Sequence, residues 1–230
     1  LVLPNGTLLT LFARTDLEAG FGTHYAARSL DEGRTWQPPV QLGPRLPLLE
    51  FVHPEFGHLP QPHFPSAAVA ADGTAYVAFE NNSSATSGGI GVAKSRDGGL
   101  TWSSSMLPGV SAYSFEPAIA VNKKGTVGVI WYDLRKDVPR DAALTADVWF
   151  AHSHNRGGSW RQTHVAGPTD LRTAPMPEHN YVGEYQGLAG LRSGFAAAFT
   201  LPAPQAKDGP TDIFFARIKP GGGNDKDDRR

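Results

Sequence analysis

Short apolar runs follow a Gly-Thr pair at three places in the chain. Asn5-Gly6-Thr7 leads into Leu8–Phe12, Asp72-Gly73-Thr74 into Ala75–Phe79, and Lys124-Gly125-Thr126 into Val127–Tyr132. Each run is answered further on by a stretch that alternates small or apolar residues with polar ones. These stretches end alike, in Ala27-Arg28-Ser29, Ala93-Lys94-Ser95 and Ala151-His152-Ser153. Alternation of this kind suits half-buried β-strands, and the Gly-Thr pair suits the tight turn that precedes one.

Directly after each ending comes one phrase written three times. It runs from Ser29 through Asp31, Gly33 and Thr35 to Trp36, then from Ser95 through Asp97, Gly99 and Thr101 to Trp102. The third copy runs from Ser153 through Asn155, Gly157 and Ser159 to Trp160. Asp or Asn accepts hydrogen bonds from backbone N–H groups further along and so stabilises a turn. Gly two residues on takes positive φ without steric cost. Ser and Thr bond locally, and Trp buries a large ring with its N–H near a polar edge.

The phrase resembles the Asp-box of the sialidase-like, BNR-repeat β-propellers. The third copy departs by carrying Asn155 for Asp and Ser159 for Thr, and both keep the hydrogen-bonding capacity. The repeating unit reads as strand, Gly-Thr turn, strand, loop, strand, box turn, strand. Four antiparallel strands per repeat make a propeller blade. The expected fold class is therefore all-β, a β-propeller over residues 1–220, with blades at about 1–42, 64–108, 116–166 and 184–218. By resemblance the complete ring has six blades, of which about four are present. The first blade lacks most of its first strand, and Leu1–Gly6 reads as a strand end entering a turn, so further sequence is expected upstream. The last blade repeats Asp147-Val148-Trp149-Phe150-Ala151 as Asp212-Ile213-Phe214-Phe215-Ala216 but carries no box. Its missing strand is expected from the same upstream sequence. The tail, 221–230, is Gly-rich and then charged, a composition read as disordered.

Composition narrows the function classes. The chain has 230 residues with a formal net charge of −1, which gives no electrostatic footprint for nucleic acid or an anionic membrane. It has no cysteine, which excludes disulfides and thiolate chemistry. No apolar run approaches the length of a membrane span. His53, His58 and His63 recur in a Pro-rich connection without a supporting carboxylate pattern, and read as a loop rather than a metal site. No cofactor is implied.

In an up-and-down blade both repeated turns lie at one end, and the loops between second and third strands lie at the other. That second end is where candidate chemistry collects. It carries Arg14, Asp16, Glu18, Glu80, Asp133, Arg135 and Asp137, and it receives the connections ending at Phe64, Glu116 and Glu184. The resemblance implies an exo-sialidase type of chemistry with a tyrosine nucleophile, and Tyr185-Gln186-Gly187-Leu188 matches the place and context of that tyrosine. Glu116 would act as its base, since a phenol with an ordinary pKa near 10 is a poor nucleophile unaided. Glu184 points to the other side of its strand. The resemblance further implies an upstream Asp as acid and three arginines around the substrate carboxylate. Arg14, Arg135, Asp133, Glu80 and Glu184 are the candidate substrate-binding residues. Arg135 has a second reading as a loop brace against Asp133 or Asp137, and Tyr185 one as an aromatic lining the channel. The implied ligand is a sialylated glycan and the implied location extracytoplasmic. The alternative is a non-catalytic propeller that binds glycans or proteins through the same mouth.

Overall fold

The computed structural model describes residues 1–16, 18–47, 52–53, 57–58, 65–84, 87–110, 113–138, 141–175, 182–183, 186–203 and 209–221. Apart from one 3₁₀ turn at Leu171–Thr173, its regular structure is β throughout. Blade A holds β1 (Leu8–Asp16), β2 (Phe21–Ser29), β3 (Val40–Gln41) and β4 (Leu46–Pro47). A small hairpin of β5 (Val52–His53) and β6 (Gly57–His58) follows. Blade B holds β7 (Ser66–Val69), β8 (Ala75–Ser84), β9 (Ser87–Ser95) and β10 (Ser103–Met106). Blade C holds β11 (Ser114–Val121), β12 (Val127–Asp133), β13 (Thr145–Ser153) and β14 (Arg161–Asp170). Blade D holds β15 (Gly187–Gly190), β16 (Phe195–Pro202) and β17 (Thr211–Ile218).

Blades B and C are simple antiparallel meanders in chain order. Blade A starts with a stub, in which Val2 bridges Leu8 and Leu9 donates its N–H to Leu1 O at 2.9 Å. Its outer strand comes in two pieces, with β3 and β4 each pairing a different part of β2. The innermost strands β7, β11 and β15 lie side by side, β11 touching both of the others. Gly190 makes the closest approach, where an added Cβ would run into Val121 O.

The apolar core sits between blades rather than inside one sheet, and in blade C strands β12 and β13 are buried on both faces. Phe115, Ile130, Val148 and Phe150 of blade C pack on Phe195, Phe199 and Leu201 of blade D. Tyr76, Ile90 and Val92 of blade B pack on Ile119, Val129 and Trp131 of blade C. Leu9 and Ala26 of blade A face Ala75, Val77 and Phe79 of blade B. Burial of this kind contributes about 25 cal/mol for each Å² of apolar surface removed from water.

The box turns form as their residue types require. Ser29 Oγ donates to Asp31 Oδ1 at 2.8 Å and accepts Gly33 N–H at 2.8 Å, while Thr35 N–H and Oγ1–H reach the Asp31 carboxylate at 2.9 and 2.6 Å. Asp97 and Asn155 repeat the set with Thr101 and Ser159. The Thr35 hydroxyl, then its N–H and Ser29, hold the Asp31 carboxyl down at about 2. Positive φ begins one residue before the expected glycine, at Glu32 (61°), Gly98 (72°) and Arg156 (60°), and continues through Gly33, Gly99 and Gly157. Two successive left-handed residues are what tighten the turn. Trp102 and Trp160 pack onto the core as expected. Trp36 stays 45% exposed, because it lies on the flank of blade A away from blade B.

The tail beyond Gly221 lies outside the described residues, as do Phe64, His63, Glu184 and Tyr185. Among the described residues no group of three or more His, Cys, Asp or Glu side chains is arranged to hold a metal ion, and no helix is long and apolar enough to cross a membrane.

Candidate active site

Blade C's first strand opens with an irregularity. The register of β11 against β12 shifts between Phe115 and Ala118, and Glu116 within the shift adopts φ 53°. A non-glycine residue held there costs on the order of 1–3 kcal/mol and persists only where its surroundings over-determine it. The surroundings are visible. Glu116 N–H donates to Glu80 Oε1 at 2.7 Å, and Glu116 O accepts from the Gln186 side-chain amide. Glu80, midway along β8, and Glu116 are both buried, at 3% and 5% exposure. Three blades thus meet at one glutamate.

Tyr132 lies close by on β12. Its hydroxyl donates to Thr200 O at 2.7 Å and accepts Thr200 N–H at 3.1 Å, which ties blade C to blade D. Burial, and then the negative charge of Glu116, push the Tyr132 phenol well above its usual range. It therefore stays protonated and serves as a fixed latch beside Glu116.

Asp133 and Arg135 form a second group on the outer side of the same blade end. Asp133 is fully buried and accepts Trp131 Nε1–H at 3.0 Å, Arg135 N–H at 2.7 Å and Arg135 Nε–H at 2.9 Å. Arg135 Nη1 donates to Gln162 at 2.6 Å, and the guanidinium lies 4.1 Å over the Trp149 ring. The brace reading of Arg135 fits this geometry. Asp147 lies directly across from Asp133, is also fully buried, and is met by His164 Nε2 at 2.5 Å and Lys136 Nζ at 3.6 Å. Two facing carboxylates are tolerable there because three basic groups surround them.

Arg14 is exposed near the end of β1, two residues from Phe12 and so on the same face, the one turned away from blade B. Of the residues singled out from sequence, the structure joins Glu80 to Glu116 and Asp133 to Arg135, and it leaves Arg14 apart. Glu184 and Tyr185 lie outside the described residues. Sequence reasoning missed Gln186, Tyr132, Asp147 and His164. Only Asp147 left a signal, its echo at Asp212.

No family model and no curated relative matches the chain. Solved structures do. A Hadza microbial sialidase superposes with a TM-score of 0.55 at 13% identity, over 94% of this chain and 43% of its own. The Fusarium graminearum α-L-arabinofuranosidase Arb93A gives 0.55 at 16% identity, over 96% and 61%. The fold is a sialidase-like β-propeller. A Penicillium chrysogenum α-L-arabinanase, solved with arabinobiose, gives 0.54 at 17% identity, over 94% and 60%. The chain thus spans about half the length of these structures, which are propeller-fold carbohydrate-active enzymes. At such identities the likeness speaks for the fold.

Proposed function

We propose that this propeller belongs to a glycoside hydrolase of the exo-sialidase type, with its site where blades C and D open onto the channel mouth. The observation that carries the reading is Glu116: a buried acid at positive φ, held from one side by Glu80 and from the other by Gln186. Gln186 directly follows Tyr185 in the chain. The contact supports a site shared by the starts of the inner strands of blades C and D, where the base and the nucleophile of this reading both lie in the chain.

In this reading Tyr185 Oη attacks the anomeric carbon while its proton passes to the Glu116 carboxylate. The glycosidic bond breaks, and the leaving oxygen takes a proton from an acid supplied by the rest of the enzyme. Water, giving its proton to the conjugate base of that acid, then attacks the same carbon from the vacated side, the tyrosyl–sugar bond breaks, and Tyr185 recovers its proton from Glu116. Glu80 holds the Glu116 backbone in place. Hydrolysis of a fluorogenic sialoside by the full-length protein tests this. Tyr185→Phe should abolish turnover, and Glu116→Gln should lower kcat by about 10²–10⁴-fold. Undiminished activity in either variant rejects that residue's role.

A second reading has its own observation. The inner strands β7, β11 and β15 contain no arginine, and Arg135 is spent on Asp133 and Gln162. Inner strands without a guanidinium fit a propeller that binds neutral glycans or proteins without hydrolysing them. Binding of a glycan panel with no turnover of any member would favour it.

A further inference from the structure

We propose that the turn end of blades C and D, opposite the channel mouth, is a docking surface for an acidic polysaccharide, a glycan chain that carries sulfate or carboxylate groups. The surface lies at the far end of the strands from Glu116, so it stands independently of the proposed function.

Charge in these two blades is sorted by end. Every described carboxylate of blades C and D stands at the mouth end, from Glu116 and Asp133 to Asp170 and Asp212. The turn end is built from residues 121–126, 151–161, 189–196 and 216–221, and none of these stretches contains an Asp or Glu. They carry Lys123, Lys124, Arg161, Arg192 and Lys219, all exposed. None of the five pairs with a carboxylate among the described residues. Arg156 of the same end is spent on Asp72 of blade B, Nη2 to Oδ2 at 2.9 Å. The net charge of −1 averages the two ends of the molecule and hides this sorting.

The four stretches form one surface. Lys123 N–H donates to Leu191 O at 3.0 Å, which joins the first turn of blade C to that of blade D and sets Lys123 beside Arg192. Thr126 Oγ1 meets His154 Nδ1 at 3.2 Å, which joins the same turn to the box of blade C. A Cβ built on Gly194 would stand 3.8 Å from Lys219 Cα, and the Gly221 backbone bonds back to His152, opposite Arg161. The basic groups therefore run outward from the channel rim along the seam between C and D. The run crosses two or three strand spacings, roughly 10–15 Å.

Like charges gathered without counter-charge raise the local potential and attract an anion of extended shape. The chemistry of the surface selects among polyanions. None of the exposed large apolar side chains lies in these four stretches, and Trp160 packs into the core between blades B and C. There is accordingly no apolar wedge to enter a bilayer and no free aromatic face on which bases could stack. Ammonium and guanidinium groups alone remain, which suit sulfates or carboxylates spaced along a hydrophilic chain.

The test is fluorescence anisotropy of the full chain with labelled dextran sulfate, polygalacturonate and uncharged dextran, alongside phosphatidylserine vesicles and a DNA duplex, compared per unit charge. Saturable binding of an acidic polysaccharide, absent with uncharged dextran and weakening severalfold as salt rises from about 50 to about 200 mM, is the expected result. Tighter binding of dextran sulfate assigns sulfate as the recognised group, and tighter binding of polygalacturonate assigns carboxylate. The double variant Lys124→Gln with Arg192→Gln should weaken binding by about tenfold or more at the lower salt. Both residues are exposed, so its denaturation midpoint should match that of the parent. Arg34→Gln with Arg45→Gln removes the same charge from the box turn and the mouth end of blade A, and should change binding by less than about twofold. Equal losses in the two double variants, binding indifferent to salt, or tighter binding of the vesicles or the duplex overturns the proposal.

Discussion

Strands β13 and β17 carry nearly the same words, Asp-Val-Trp-Phe-Ala against Asp-Ile-Phe-Phe-Ala, in opposite surroundings. Val148 and Phe150 are fully buried, while Ile213 and Phe215 at the matching positions are 81% and 72% exposed. β13 has β12 on one edge, β14 on the other, and blade D against the face that Val148 and Phe150 present. β17 has β16 on one edge, and among the described residues no strand on the other. The phrase encodes a strand with two apolar faces. Whether those faces are buried is decided by what stands beside them.

The largest test of this contrast is a matched pair of truncations. Phe150→Ala leaves a cavity between blades C and D, where its ring packs 5.1 Å from Phe195, and should cost about 3–5 kcal/mol in chemical denaturation. Phe215→Ala should cost less than about 0.5 kcal/mol in the same chain. Equal losses would mean that Phe215 is covered in solution, and the contrast would fail.

The acids give a smaller effect of the same kind. Asp147 is buried against His164 and Lys136, and Asp147→Ala should cost about 2 kcal/mol, the scale of a charge-assisted hydrogen bond. Asp212 is exposed, and Asp212→Ala should leave the denaturation midpoint unchanged. A comparable loss in both would show that the acid serves the strand itself rather than its neighbours.

What could be read from the sequence follows the same division. The boxes and Gly-Thr turns are local: a carboxylate, a glycine and a hydroxyl within a few residues dictate the turn, so Ser29 to Thr35 could be read without coordinates. The strands between them follow from alternation, and the blades follow from the repeat. The contacts around Glu116 were not legible. Glu80 and Gln186 lie 36 and 70 residues away from it, and a glutamate and a glutamine look alike in sequence whether they brace a backbone or face water. Arg135 shows the same limit, since its partner Gln162 stands on another strand.

The finest test uses protons. His152 on β13 corresponds to Arg217 on β17, and it is 3% exposed. Burial first, then the neighbouring His154, hold its pKa below the ordinary 6.5, with the Gly221 backbone opposing them and Arg161 adding weakly. The unfolded chain therefore takes up a proton that the folded chain refuses as pH falls below about 6.5. Stability from this group is intact above that pH and declines as pH drops from the unfolded value towards the depressed folded one. His152→Gln should flatten this part of the denaturation profile between neutral and mildly acidic pH. Arg217 does not titrate in the range, so Arg217→Gln should leave the slope as it is. A slope unchanged in His152→Gln would show that the imidazole is as accessible to protons in blade C as it would be in blade D, and the difference between the two strands would then not extend to their charged ends.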